Sequence, residues 1–119
     1  MGEIIPKLRA SARGQRCTFA IPGTCCFDPD RVVLCHIRDE QKGGANKADD
    51  WSSAFGCDQC HEAIDQHRLS KEEELRTILR AMQRTQRIWF VSGLMTFPTT
   101  EHRARLIGKI VPRPEHFRR

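Results

Sequence analysis

CDQCHEAID, residues 57–65, sets out a metal-site pattern within one short stretch. Cys57 and Cys60 form a C-x-x-C, the spacing at which a turn directs two thiolates at one ion. His61 follows directly and Asp65 comes four residues later, so in a helix both side chains leave from one face. A structural Zn²⁺ takes four ligands in a tetrahedron, and the C-x-x-C therefore needs a second pair. Cys17 and Cys25, either side of the Pro22-Gly23 turn signal, are the natural one. Cys26 is adjacent and could take the place of Cys25, and His61 could stand in for Cys17. Other readings suit the pattern less well. The spacing is unusual for an iron–sulfur cluster, and a redox C-x-x-C usually follows a βαβ-type strand. Buried apolar thiols remain the plain alternative. Zinc on Cys17, Cys25, Cys57 and Cys60 is the expectation.

Working outward from that stretch, Thr18 to Ile21 can form a strand. Arg31 to His36 (RVVLCH) is β-branched and apolar and reads as another. Residues 38–50 are polar with a Gly pair and predict a loop. Asp50 to Gly56 (DWSSAFG) predicts the returning strand of an antiparallel hairpin. Downstream, His61 to Leu69 has helical character. Ser70 and Glu73 form a capping box that opens a long helix over about 71–92. Its apolar stripe is Leu75, Ile78, Leu79, Met82 and Trp89, expected to face the core. Arg76, Arg80, Arg84 and Arg87 lie on another face, as solvated charges or phosphate contacts. Gly93 ends the helix, and residues 105–111 predict a late strand or short helix. The result is one α+β domain over 1–119. It comprises a basic N-terminal arm (1–16), a zinc-bound core (17–69), a long amphipathic helix (70–93) and a basic C-terminal tail (94–119).

A chain of 119 residues buries a modest core and often needs a metal or disulfide to hold it. Met1 to Ala10 has no apolar signal region, and no apolar run is long enough for a membrane span. These features predict a cytoplasmic protein with no membrane partner, where a reducing environment favours metal over disulfides for six cysteines. The formal net charge is +5, carried by the two ends: residues 1–16 hold four Lys/Arg against one Glu, and 101–119 hold six against two. Basic arms suit a polyanion, so nucleic acid, with DNA favoured, is the expected partner.

His36 closes the strand RVVLCH and opens the polar loop. Phosphodiester cleavage needs an activated water, stabilisation of the phosphorane and stabilisation of the leaving 3′ oxygen. His36 suits the first task as general base. His61 and Asp65 would hold Mg²⁺ or another divalent cation for the other two, and Arg38 could grip the phosphate.

The order of strand-end His, polar loop, returning strand and C-x-x-C-H helix resembles the His-Asn-His (HNH) endonucleases of ββα-metal fold. More closely, ARGQRC (12–17), IPGTC (21–25), VLCHIR (33–38), CDQCHEAID (57–65) and RTQRIW (84–89) resemble a family of small prophage-encoded endonucleases. The resemblance covers residues ~10–95. It implies His36 as general base, His61 and Asp65 as ligands of the catalytic ion, and the four cysteines as the zinc set. It also implies a bacterial host cell. Two departures stand out. Cys35 occupies the place of an Asp or His metal ligand, and a thiolate is a poor partner for Mg²⁺. The middle Asn is replaced, with Asp50 favoured over Ser52 and Asn46. Two rivals to the endonuclease are a non-catalytic zinc module that binds DNA and an adaptor using the long helix for a protein partner.

Overall fold

The structure is a computed structural model, and residues 3–37 and 48–96 are described. Helix α1 is Pro6–Ser11, strand β1 Val32–His36, strand β2 Ser53–Cys57, helix α2 Asp58–Asp65 and helix α3 Lys71–Val91. This is a small α+β fold with a two-stranded antiparallel sheet in which Val32 faces Cys57 and His36 faces Ser53. No helix among the described residues is long and apolar enough to cross a membrane. Arg38, Asn46, most of the 38–50 loop and residues 97–119, including the predicted element at 105–111, lie outside the described residues.

Strand β2 is buried along its whole length, which explains its composition: Ala54, Phe55 and Gly56 expose nothing polar but backbone. Its outer edge must still pair the backbone of Phe55, since a buried unpaired N–H or C=O is costly. No third strand among the described residues does this. Residues 18–21, expected as a strand, are irregular, yet Thr18 donates through both its N–H (2.8 Å) and its hydroxyl (2.7 Å) to the Phe55 carbonyl. The Phe55 N–H donates to Thr85 Oγ1 of α3 at 3.1 Å, and the two threonine hydroxyls stand 3.2 Å apart. A loop and a helix thus satisfy the edge that a strand would have filled.

This contact sets the rotation of α3. Ser70 caps it as expected, accepting from the Glu73 N–H at 3.2 Å, and Gly93 follows its end with a φ of 83°. Its buried face is Thr77, Ala81, Thr85 and Trp89. The expected stripe is therefore corrected in part. Trp89 is buried and Ile78 and Met82 pack at the margin, but Leu75 and Leu79 are 57% and 59% exposed. Small residues at i, i+4 spacing let the helix approach the sheet edge closely enough for Thr85 to reach it. Of the arginines, Arg84 is tied to the fold by donating to the Thr18 carbonyl at 3.0 Å, and Arg76 pairs with Glu72. Trp89 meets Phe55 edge to face at 6.0 Å and donates its indole N–H to Ser11 Oγ at 2.9 Å. Residues 1–16, read as a basic arm, are thus partly core: Leu8 and Ala12 are buried.

Gly56 is required by space. A Cβ there would stand 2.7 Å from two ring carbons of Phe19 and 2.8 Å from Cys35 Sγ. Gly56→Ala is expected to destabilise the protein by about 1–3 kcal/mol, measured by urea unfolding, with part of the loss recovered when Cys35→Ala is added.

Candidate functional site

The two ends of the hairpin carry two different constellations. At the Val32–Cys57 end, Cys17, Cys25, Cys57 and Cys60 bring their four sulfurs within 4.8 Å of one another. Cys57 closes β2 and caps α2, so strand and helix together place the C-x-x-C. The 18–24 turn brings in the other two thiols. Cys57 Sγ and Cys25 Sγ are 3.9 Å apart, close to the roughly 3.8 Å between thiolates held tetrahedrally at ~2.3 Å from one ion. Backbone N–H groups fold over the sulfurs: Cys60 donates to Cys57 Sγ at 3.4 Å, Phe27 to Cys25 Sγ at 3.4 Å and Cys57 to Cys17 Sγ at 3.3 Å. Burial pushes the Cys57 thiol up, but N–H groups of Cys26 and Cys60 outweigh it and bring it down to about 6. Burial raises Cys25 to about 11 and also raises Cys60. Such a set could hold a metal ion, and the ion's charge would be what keeps all four sulfurs ionised.

The choice between Cys25 and Cys26 falls to Cys25. Cys26 belongs instead with Cys57 and Asp58. Nor does His61 replace Cys17: its Nε2 lies 3.3 Å from Asp65 Oδ2 on α2. Cys35, in the place of a metal ligand in the resemblance, points into the core. It is 1% exposed, its thiol is directed at the Val33 and Gly56 carbonyls, and burial pushes it up to about 12. Alternation along β1 puts Cys35 and His36 on opposite faces.

At the loop end, Asp50 is fully buried. Its Oδ1 accepts from His36 Nε2 at 2.7 Å, and its Oδ2 accepts from the Ile5 N–H at 2.6 Å and from Arg9 Nε at 2.8 Å. Burial alone would raise this carboxyl. The Arg9 and His36 hydrogen bonds and the Ile5 N–H outweigh it, leaving the carboxyl at about 2. Asp50 is therefore a carboxylate and can only accept, which places the hydrogen of a neutral His36 on Nε2 and the lone pair on Nδ1. Ser52, the other candidate beside it, accepts the Ile37 N–H on its carbonyl at 2.8 Å and donates its hydroxyl to the Ile37 carbonyl at 3.3 Å. Its role is to extend the strand pairing.

His36 sits between two depressions. On one side is a shallow groove of about 240 Å³ that Arg9 and Arg13 also line. On the other is a cleft of about 570 Å³ shared with Asp65, His67 and Glu74. The structure thus brings His36, Asp50 and Asp65 to one region, with His61 beside Asp65. Sequence reading missed Arg9, Arg13, His67 and Glu74. Nothing local marks Arg9 as the partner of a carboxylate 41 positions away.

A family model described as "Putative nuclease YbcO" matches residues 6–94. A protein of that description from Escherichia coli (strain K12) is 36% identical over 91 residues, covering 74% of this chain and 95% of its own length. One from Enterobacteria phage 82 matches with the same figures. A solved structure of "a putative bacteriophage protein" from Escherichia coli str. K-12 substr. MG1655 superposes with a TM-score of 0.60 at 35% identity, over 73% of this chain and 100% of that one.

The Asp50 network makes the fold sensitive to acid. A carboxyl depressed in the folded state stabilises it above the ordinary carboxyl range, and that stability is lost as pH falls through the folded value. About 2 kcal/mol is expected to disappear between pH ~4 and ~2, measured by urea unfolding across that range. Asp50→Asn is expected to be less stable at pH 7 and to lack this component of the acid slope.

Proposed function

Because the chain belongs to the YbcO family, we propose that it is a metal-dependent endonuclease that hydrolyses phosphodiester bonds in DNA, built as a ββα-metal (HNH-type) site on a structural zinc. The observation that carries this reading is the Asp50–His36 pair on the rim of the cleft that Asp65 also lines. Buried Asp50 fixes the ring and its tautomer, so His36 presents the basic Nδ1 for the proton of an attacking water. Asp65 and His61, one helical turn apart on α2, are the groups that would hold Mg²⁺ or another divalent cation. That cation would supply charge stabilisation to the phosphorane and to the departing 3′ oxygen. Arg9 is held by Asp50 through Nε, which among the described residues leaves its terminal nitrogens for a phosphate, and Arg13 shares its groove. Arg38 remains a further candidate for that contact.

Zn²⁺ fits the four-sulfur site, because sulfur ligands in a closed tetrahedral set are its preferred structural environment. The ion would join the 17–25 loop to the β2–α2 junction and so hold α2, with His61 and Asp65, against the hairpin that carries His36. Binding without cleavage is the second reading, and the buried Cys35 in place of a hard metal ligand is what favours it.

Two measurements follow. One zinc per chain is expected by elemental analysis, with four thiols released on chelation and loss of cooperative thermal unfolding. Plasmid DNA is expected to be nicked with Mg²⁺, Mn²⁺ or Ni²⁺ and not with EDTA. His36→Ala should slow cleavage by about 10²–10⁴-fold at unchanged zinc content. Equal retardation of DNA by both proteins, with no cleavage under any ion, would favour the binding module instead.

A further inference from the structure

Helix α2 ends on a turn whose key residue is a histidine. The Arg68 N–H donates to the Ala63 carbonyl at 3.0 Å and the His67 N–H to the Ile64 carbonyl at 3.1 Å, with His67 at a φ of 51°. This is a Schellman-type stop, and glycine is the residue that takes the left-handed position without penalty. The geometry has a consequence for the site. Had the helix continued, residues 65 and 67 would project from different faces. The left-handed turn reverses the chain, and His67 lines the same cleft as Asp65 and His36.

His67 is also held from behind. Glu74, in the first turns of α3 and with its side chain only 14% exposed, lies 2.9 Å from His67 Nδ1 through Oε1. With Nδ1–H donated to the carboxylate, Nε2 carries the lone pair. An imidazole with its second nitrogen donated to a carboxylate is the arrangement that orients metal-bound histidines and raises their basicity. A plain loop clamp would be met as well by a lysine, or by glycine at 67 and no pair at all.

We propose that His67, backed by Glu74, is a ligand of the catalytic divalent cation, acting with Asp65 in the His36 cleft. The inference rests on the metal-dependent reading above and adds to it the far wall of the site.

The test is calorimetric titration of the zinc-replete protein with Ni²⁺, on wild type, His67→Gly, Glu74→Gln and, as control, Glu72→Gln on the exposed face of α3. His67→Gly suits the left-handed backbone and is expected to keep the thermal midpoint and zinc content. It should weaken Ni²⁺ binding at least tenfold, and Glu74→Gln should do so by about tenfold, while the control matches wild type. Unchanged Ni²⁺ affinity in His67→Gly and Glu74→Gln, or no Ni²⁺ bound by the wild type beyond the zinc site, would overturn the proposal. Plasmid cleavage separates the two readings. If Ni²⁺ binding depends on His67 but no DNA is cut, the ligand assignment stands and the nuclease reading falls. If DNA is cut and Ni²⁺ binding ignores His67, this proposal falls alone.

Discussion

A carboxylate taken out of water must be surrounded by donors, and Asp50 meets this demand by drawing three parts of the chain together. Its oxygens take the Ile5 N–H and Arg9 Nε from the N-terminal segment and His36 Nε2 from the end of β1. Leaving a buried charge without these partners would cost far more than any one of the bonds gains. The N-terminal segment is consequently fastened where Leu8 and Ala12 can fill the core and Ser11 can receive the Trp89 indole. The same carboxylate determines which nitrogen of a neutral His36 keeps its lone pair.

The opposite end of the hairpin is governed by a different constraint. Four thiols converge where β2 becomes α2, and the N–H groups of the turns are directed at sulfur. Between the two ends, β2 is wholly enclosed and its outer edge is completed by hydroxyls of Thr18 and Thr85. A small chain with a two-stranded sheet has few layers in which to bury apolar surface. It relies accordingly on specific polar closure: a buried carboxylate, a cysteine cluster and a threonine pair.

The elements bearing local signals were legible from the sequence. The capping box at Ser70 and Glu73, the C-x-x-C, the β-branched run ending at His36 and the i, i+4 relation of His61 to Asp65 all depend on neighbours within a few residues. The helical stripe was less so. Hydrophobicity alone ranked Leu75 and Leu79 above Thr77 and Thr85, but the α3 face is selected by the Phe55 N–H, which donates to a hydroxyl oxygen and has no use for a methyl. The strand expected at 18–21 failed for the same reason: one residue of it suffices to complete the edge.

The sequence by itself determined the succession of the hairpin and the two helices that follow it, the cysteine spacing that permits a metal cluster, and the histidine at the strand end. These follow from periodicity, caps and ligand chemistry, which act over short distances. Only the tertiary structure decided that Cys25 and not Cys26 joins the cluster, that Cys35 faces the core, and that Asp50 is the partner of His36. It alone brought Arg9 to Asp50 and turned His67 into the cleft beside Asp65. Those choices turn on burial and on hydrogen bonds between distant residues, which exist only once the chain has closed on itself.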